Sequence, residues 1–354
     1  MDSPISCYNR LASQIFITIA DSQSANESSF LVGTHCILHS FGPLIRGADN
    51  ETADDVVDVK AFIDDPSLKP KGNNLEVAVR VYTGDDCLNY ENQTEDIISS
   101  EKKKLEKAAY ENKRRAATSI ECDTLNSPYP KDNILLNGKG QASTRSIVMS
   151  IAGHTTLNDR WSANNNFEKS DDMQFYTRGE GEKRTPAIIA RIDTLFRSNR
   201  EKEMCADAIR LDMESGAFYW VVMPKIPATK DELTCLAMTI DWGQFGNTFC
   251  KSGRHFMVQL PKFTTANSYS GLENILSKLK DNMGVSRLFS SDMIKVSSVS
   301  KVDVVPNKPR VKYQVGLPTI YKKKELRINK PFIFVHGAEN GMIVDMGMFL
   351  KPLM

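Results

Sequence analysis

The C-terminal segment of this chain reads Pro331-Phe-Ile-Phe-Val-His336-Gly-Ala-Glu-Asn-Gly341-Met-Ile-Val-Asp-Met-Gly347-Met-Phe-Leu350. Residues 332–335 and 342–344 are apolar without alternation, and such unbroken runs indicate strands that are covered on both faces. The Asn340-Gly341 pair between them is typical of a hairpin turn. We therefore expect a terminal hairpin that completes a core built from earlier elements. An ordinary edge of a β-sandwich is the alternative that these residues leave open.

The composition is that of a large chain with nearly balanced charge. Its 354 residues are 41% hydrophobic, and 45 Lys and Arg against 44 Asp and Glu leave a formal charge of +1. This length allows a sizeable core, and the net charge gives no indication of a nucleic-acid or membrane-surface partner. No stretch reaches the roughly 20 apolar residues of a spanning helix. We expect no membrane span, no specific nucleic-acid partner and a monomer.

The N-terminus and the cysteines leave the compartment open. Asp2 stands where a signal peptide carries basic residues, and we expect an amphipathic first helix over Tyr8–Asp21. The seven cysteines are odd in number and include no C-x-x-C pair, which argues against a zinc site and a dense disulfide framework. The protein is expected to be secreted if a signal peptide has been removed and otherwise cytoplasmic. Glycosylation acceptor motifs occur at Asn26, Asn50 and Asn92.

Strand and helix patterns intermingle along the rest of the chain. Period-two or unbroken apolar segments predict strands at 30–37, 75–82, 146–152, 173–176, 185–192, 205–212, 218–223, 256–263 and 294–305. Helical patterns lie at 38–47, 96–115, 231–244 and 272–279. There is no strict β-α-β rhythm, internal repeat or linker, so the sequence favours one mixed α+β domain over 1–354.

The most charged segment is the predicted surface helix 96–115. Its bases could form a polyanion-binding patch. The acids Glu101, Glu106 and Glu111 offset them across helix turns, which favours an ordinary solvated face. The basic residues of this candidate patch are Lys102, Lys103, Lys104, Lys107, Lys113, Arg114 and Arg115.

The sequence contains no residue pattern for catalysis. His35 and His39 are spaced i, i+4, but no third ligand lies near, so a packing or capping role is favoured over a metal site. The segment Gly179-Glu-Gly-Glu182 lacks the context of a phosphate loop, and its acids would repel phosphate. Nucleophile-elbow, P-loop and zinc-protease motifs are absent. We predict a non-enzyme without cofactor or metal.

Several segments, taken in chain order, resemble a serpin. The most specific are Val258-Gln-Leu-Pro-Lys-Phe263, the helix 272–279, the strand Lys295–Val299 and the hairpin 329–349. This resemblance implies a single-domain α+β fold with three β-sheets, about eight helices and an exposed reactive loop. In inhibitory serpins a protease cleaves this loop. Its N-terminal half then inserts as a new central strand of the largest sheet, and the protease is trapped.

The segment 306–325, which corresponds to the reactive loop, departs from the inhibitory pattern and is shortened. Its hinge reads Val305-Pro306-Asn-Lys-Pro309-Arg310-Val-Lys312, where inhibitory members have a glycine followed by threonine or serine and alanines. Proline lacks the N–H that a central strand donates, and a buried unpaired base costs several kcal/mol. The reactive-loop candidates are Pro306, Pro309, Arg310, Lys312, Lys322, Lys323 and Lys324.

The residues that correspond to the region at which the main sheet of inhibitory serpins opens also depart from the family pattern. Family serines correspond to Gly33 and Cys36, an asparagine to Gly153 and a histidine to Lys301, so that only Trp161 is retained. The short, turn-rich segment 123–141 further implies a reduced helix over this sheet.

These departures predict a serpin-fold protein that does not inhibit by loop insertion. It is expected to act by binding a partner, which could be a protein, a hydrophobic ligand or a polyanion. The alternative is an inhibitor of trypsin-like proteases that presents Arg310 or one of Lys322–Lys324 as bait, because a basic side chain suits an acidic specificity pocket.

Overall fold

The computed structural model describes residues 3–23, 29–39, 75–83, 105–107, 149–157, 160–162, 167–179, 181–194, 196–198, 206–245, 254–270, 272–279, 294–304 and 324–352. The labelled helices are α1 (Pro4–Ser22), α2 (Lys230–Thr239) and α3 (Leu272–Leu276). The strands are β1 (Phe30–Val32), β2 (Leu75–Thr83), β3 (Leu105–Lys107), β4 (Met149–Leu157), β5 (Glu168–Thr177), β6 (Gly181–Thr194), β7 (Phe196–Ser198), β8 (Ala206–Asp212), β9 (Phe218–Pro224), β10 (Arg254–Pro261), β11 (Phe263–Ser270), β12 (Ile294–Val304), β13 (Lys324–Arg327), β14 (Phe332–Gly337) and β15 (Ile343–Phe349).

The terminal hairpin lies inside a six-stranded sheet with the order β1-β15-β14-β9-β8-β7. Every residue of β14 and β15 is buried. In the turn, Gly341 has a φ of 88°, which favours glycine, and its N–H donates to the Ala338 carbonyl oxygen at 2.9 Å. The predicted doubly covered hairpin is confirmed. The alternative of a sandwich edge is wrong, because both strands have neighbours on each side.

The two faces of this sheet pack into different apolar clusters. Ile333 and Val335 point into a cluster with Phe16 of α1, which also contains residues of α2 and α3. Phe332 and Phe334 point the other way, into a cluster with strands of the other two sheets. Side chains alternate between the faces of a strand. The unbroken apolar run of β14 therefore supplies both layers.

Helix α1 is held at both ends by specific polar contacts. Ser3 is its N-cap, with Oγ accepting from Ser6 N–H at 3.2 Å, and Pro4 occupies the first turn. At the other end, the Lys230 ammonium donates to the carbonyl oxygens of Ala20 at 3.0 Å and Gln23 at 2.6 Å. A cation at a helix C-terminus also interacts favourably with the helix dipole. The first residue of α2 thus caps α1.

The remaining strands form two mixed sheets. The four-stranded sheet has the order β13-β10-β6-β5, in which β13 runs parallel to β10. The five-stranded sheet has the order β11-β12-β4-β2-β3, in which β12 is parallel to β4 and β3 is parallel to β2. The predicted α+β class with three sheets is confirmed. The segment 123–141 and its expected reduced helix lie outside the described residues.

Some predicted element bounds are wrong. The strand expected over 30–37 ends at Val32, and Thr34–His39 are helical, because Ile37 N–H bonds back to the Gly33 carbonyl oxygen at 3.0 Å. The strand expected over 256–263 is divided at Lys262, where β10 ends and β11 begins in another sheet.

The helix expected over 96–115 is wrong for Leu105–Lys107, which form β3 and pair with Val81–Thr83 of β2. The edge of β2 offers backbone donors and acceptors, and a short extended segment satisfies them without a helix. Among the residues described, no helix combines the length and apolar character that a membrane crossing requires.

Candidate functional site at the five-stranded sheet

The centre of the five-stranded sheet is the direct parallel pairing of β12 with β4. The paired positions run from Ile294 opposite Met149 to Lys301 opposite Thr156. On the outer sides, β11 pairs antiparallel with β12 and β2 pairs antiparallel with β4. A further strand can lie between β12 and β4 only if this ladder of hydrogen bonds is broken.

The segment 305–323 connects two different sheets. β12 ends at Val304, which pairs with Phe263 of β11. β13 begins at Lys324, which pairs with Phe256 of β10. A chain that leaves β12 and folds back between β12 and β4 must lead with residues just after Val304. Pro306 and Pro309 are therefore the first prolines that such a movement would carry into the sheet.

Most of the predicted reactive-loop, polyanion-patch and glycosylation residues lie outside the described residues. Lys324 is the first residue of β13, and Lys107 is the last residue of β3. Those outside are Pro306, Pro309, Arg310, Lys312, Lys322, Lys323, Lys102, Lys103, Lys104, Lys113, Arg114, Arg115, Asn26, Asn50 and Asn92.

Two of the predicted sheet-opening residues lie on the central parallel pair. Gly153 of β4 stands opposite Ser298 of β12 and Val79 of β2. Lys301 of β12 stands opposite Thr156 of β4, further along the same ladder. Both residues thus lie on the central parallel pair of strands, at different positions along it.

Gly33 and Cys36 lie where β1 passes into the helical segment. Both residues are buried. Thr34 Oγ1 donates to the Val344 carbonyl oxygen at 3.0 Å, which ties this junction to β15. Leu31 N–H donates to Asn267 Oδ1 of β11 at 2.9 Å. Asn267 therefore links the five-stranded sheet to β1, a role that the sequence did not reveal.

Trp161, the retained aromatic residue, packs at the end of the six-stranded sheet. It is 4% exposed and forms a backbone bridge with Met213. Its ring centroid lies 4.8 Å from that of Phe167 and 5.8 Å from that of Tyr219. Trp161 is thus a packing residue of the second apolar cluster, together with residues from all three sheets.

Buried polar residues surround the junction after β1. Tyr8 Oη and His35 Nδ1 form a hydrogen bond of 2.6 Å. Burial raises the pKa of Tyr8, and the charges of Asp345 and Cys36 add to this effect. Burial also lowers the pKa of His35 to about 3, with a smaller contribution from His39. Both Tyr8 and His35 are consequently neutral at neutral pH.

The same region holds the terminal hairpin against α1. Asn9 Nδ2 donates to the Gly341 carbonyl oxygen at 3.0 Å, and Ile343 N–H donates to Asn9 Oδ1 at 2.8 Å. One side chain thus bonds the end of the turn and the first residue of β15, which ties the first helix to the last hairpin.

A cavity of about 750 Å³ opens beside β13 on the four-stranded sheet. Glu325 and Arg327 of β13 line it and lie 3.0 Å apart as an ion pair. Met257 and Gln259 of β10 and Arg184 of β6 also contribute to the lining. Because β13 directly follows the segment 305–323, this polar cavity is adjacent to the C-terminal anchor of that segment.

No protein-family model matches the sequence, and neither does any curated protein sequence. Solved structures do match. Mouse protein-Z dependent protease inhibitor matches with a TM-score of 0.72 at 12% identity, over 99% of each chain. Serpin48 of the insect Tenebrio molitor matches with a TM-score of 0.70 at 15% identity, over 99% of this chain and 98% of that one. Human thyroxine-binding globulin matches with a TM-score of 0.71 at 11% identity, over 99% and 100% of the two chains.

These matches cover nearly the whole chain and agree with the three sheets described above. The protein therefore has the serpin fold. The solved proteins that it resembles include one named as a protease inhibitor and one named for binding thyroxine, so the fold is common to both kinds of protein.

Proposed function

We propose that the protein is a divergent serpin that binds a partner and does not insert its loop into the five-stranded sheet. The observation that carries this proposal is the position of Pro306 and Pro309 directly after β12, the strand from which an insertion must begin. Each proline would leave one backbone position of the new strand without a donor, and its ring would crowd the neighbouring strand. We also propose one domain over 1–354, which the 99% coverage supports.

The energetics of insertion support the same proposal. The ladder between β12 and β4 spans eight paired positions, and all of them must separate. A suitable new strand compensates by pairing on both sides. Here Arg310 and Lys312 would follow the prolines into the sheet, and bases that enter an interior without partners cost several kcal/mol each. The segment is therefore better suited to an exposed position than to a central strand.

The partner surface that we propose is the segment Pro306–Lys324 together with the adjoining polar cavity on the four-stranded sheet. The basic segment 102–115 remains a second candidate surface, for a polyanion. Thyroxine-binding globulin is named for a bound ligand and has the same fold, which supports binding as a function of this architecture. We propose binding, and no catalysis, as the activity of the chain.

The alternative is protease inhibition through the same segment. Mouse protein-Z dependent protease inhibitor, which this chain resembles in fold, favours it. Lys324 is paired in β13, so that Arg310, Lys322 and Lys323 are the expected bait residues that remain between the strands. A trypsin-like enzyme would take one of these side chains into its acidic pocket.

Incubation with trypsin-like and subtilisin-like proteases, followed by a denaturing gel, separates the two functions. We expect cleavage within 305–323 and no band that contains both proteins. A complex that survives SDS would contradict the proposal and establish the inhibitor. Arg310→Ala and Lys322→Ala/Lys323→Ala variants serve as matched controls, because they show by fragment mass which bond the trypsin-like enzyme cuts.

A further inference from the structure

Two ionisable side chains of the terminal hairpin face each other in the core. His336 of β14 and Asp345 of β15 are directly opposite in register, and His336 Nδ1 lies 3.1 Å from Asp345 Oδ2. Each residue is only 1% exposed. Tyr219, opposite His336 on β9, stacks on the imidazole with the ring centroids 5.1 Å apart. The pair lies at the end of the regular ladder, since the register shifts between His336 and Gly337.

The remaining polar atoms of the pair are unsatisfied. Within the part of the chain that the structure describes, His336 Nε2 and Asp345 Oδ1 have no hydrogen-bond partner. Such surroundings solvate a net charge poorly. A pair that holds one proton is neutral overall, whichever of the two groups carries it. Loss of this proton would leave a buried negative charge, and a second proton would create a buried positive charge.

The neighbouring titratable groups do not supply a compensating charge at neutral pH. Tyr8 of α1 interacts electrostatically with Asp345 and with Cys36 of the helical segment, and Tyr8 is also hydrogen-bonded to His35. Burial raises the pKa of Tyr8 and lowers that of His35, which keeps both neutral. Tyr219 faces the pair from β9. Burial likewise raises the pKa of Asp345, and the bond to His336 opposes this only in part.

We propose that His336 and Asp345 share one proton as a buried neutral pair, and that this pair makes the terminal hairpin a pH-sensitive element of the fold. In the unfolded chain, the two groups together hold a single proton only between about pH 3.8 and about pH 6.5. Above the upper limit the folded pair keeps its single proton, because burial opposes the net negative charge that its loss would leave.

The sign of the pH dependence follows from this difference in bound protons. Above about pH 6.5 the unfolded chain has released a proton that the folded pair keeps, so the free energy of unfolding falls as the pH rises. The pair contributes most in mildly acidic solution and loosens the hairpin at alkaline pH.

Urea unfolding of the full chain between pH 5.5 and 9 tests this proposal against a His336→Gln/Asp345→Asn variant. All other titratable groups are common to both proteins, so their difference reports the pair. We expect the unfolding equilibrium constant of the parent to rise, relative to that of the variant, by up to about tenfold for each pH unit above pH 6.5. A difference that is flat with pH, or that changes in the opposite direction, would overturn the proposal.

A measurement on the unaltered protein covers the case in which the variant does not fold. In the NMR spectrum of protein with ¹³C-labelled histidine, the His336 ring is identified by its cross-relaxation with Tyr219. We expect its signals to keep their positions between pH 5.5 and 6.5 and to change only at higher pH. A ring whose signals change through this interval, as those of a solvent-exposed imidazole do, would refute the shared proton.

Discussion

Burial of His35 beside Tyr8 fixes how one imidazole responds to acid. Burial, and to a lesser extent His39, lowers the pKa of His35 to about 3, from the ordinary value of 6.5. Between about pH 6.5 and about pH 3, His35 is therefore protonated in the unfolded chain but not in the folded chain. We expect this residue alone to lower the free energy of unfolding by about 1.4 kcal/mol per pH unit in that interval. Urea unfolding between pH 7 and 4 measures it.

The control for this prediction is a comparison of two substitutions. A His35→Gln variant should lose the acid dependence that belongs to the imidazole, even if its stability at pH 7 is lower. A His39→Gln variant should keep most of it, because burial is the larger cause of the lowered pKa. Equal acid dependence in the parent and in the His35 variant would show that the buried imidazole is not responsible.

The sequence did not reveal the hydrogen bonds that buried polar side chains form in the folded protein. Tyr8 with His35, Asn267 with Leu31, and His336 with Asp345 are each brought together by tertiary structure. No local period relates the members of the first two contacts. His336 and Asp345 were read as parts of a hairpin, but whether two such residues bond inside a core depends on register. In the sequence, the only indication of this bond is that His336 and Asp345 are polar residues next to apolar runs.

Close approach of strands in the hairpin depends on Gly347 of β15. A Cβ there would collide with the Phe334 ring and lie 2.7 Å from the Phe30 carbonyl oxygen of β1. We expect Gly347→Ala to lower the free energy of unfolding by about 1–3 kcal/mol, as overpacking of a core does. Chemical denaturation measures this loss, and a Gly347→Ala protein as stable as the parent would contradict the packing described.

Gly341 provides the matched control for this substitution. It has a φ of 88°, and a Cβ added there would meet no atom within 4 Å. Asparagine tolerates this left-handed conformation better than other non-glycine residues do. Gly341→Asn should therefore cost less than Gly347→Ala, which separates the effect of crowding from that of losing a glycine.

Elements with strong periodicity were predictable, and those decided by neighbours were not. Strands β9 and β14 carry unbroken apolar runs because both of their faces are covered, and the sequence located them. The short strand β3 has no such pattern and exists through its pairing with β2. Likewise, nothing in the alternation of 256–263 shows that the chain changes sheets at Lys262.

At the scale of the whole molecule, a serpin fold is combined with a segment, 305–323, whose prolines Pro306 and Pro309 directly follow β12. The fold follows from the three sheets and from matches over 99% of the chain, although identity is only 11–15%. The resemblance seen in the sequence was concentrated in residues 258–352, where the hairpin and its neighbours are most constrained by burial. The proposed function rests on the sequence of 305–323, which lies outside the described residues and indicates the chemistry of the segment but not the identity of a partner.

The thermal unfolding midpoint before and after cleavage within 305–323 tests the central claim most directly. Insertion would add a strand between β12 and β4 and would raise the midpoint strongly, whereas a cut without insertion leaves the sheets unchanged. A Pro306→Ala/Pro309→Ala variant, cleaved in the same way, shows whether the prolines are the obstacle. We predict an unchanged midpoint for the cleaved parent protein, and a large rise on cleavage would contradict the account.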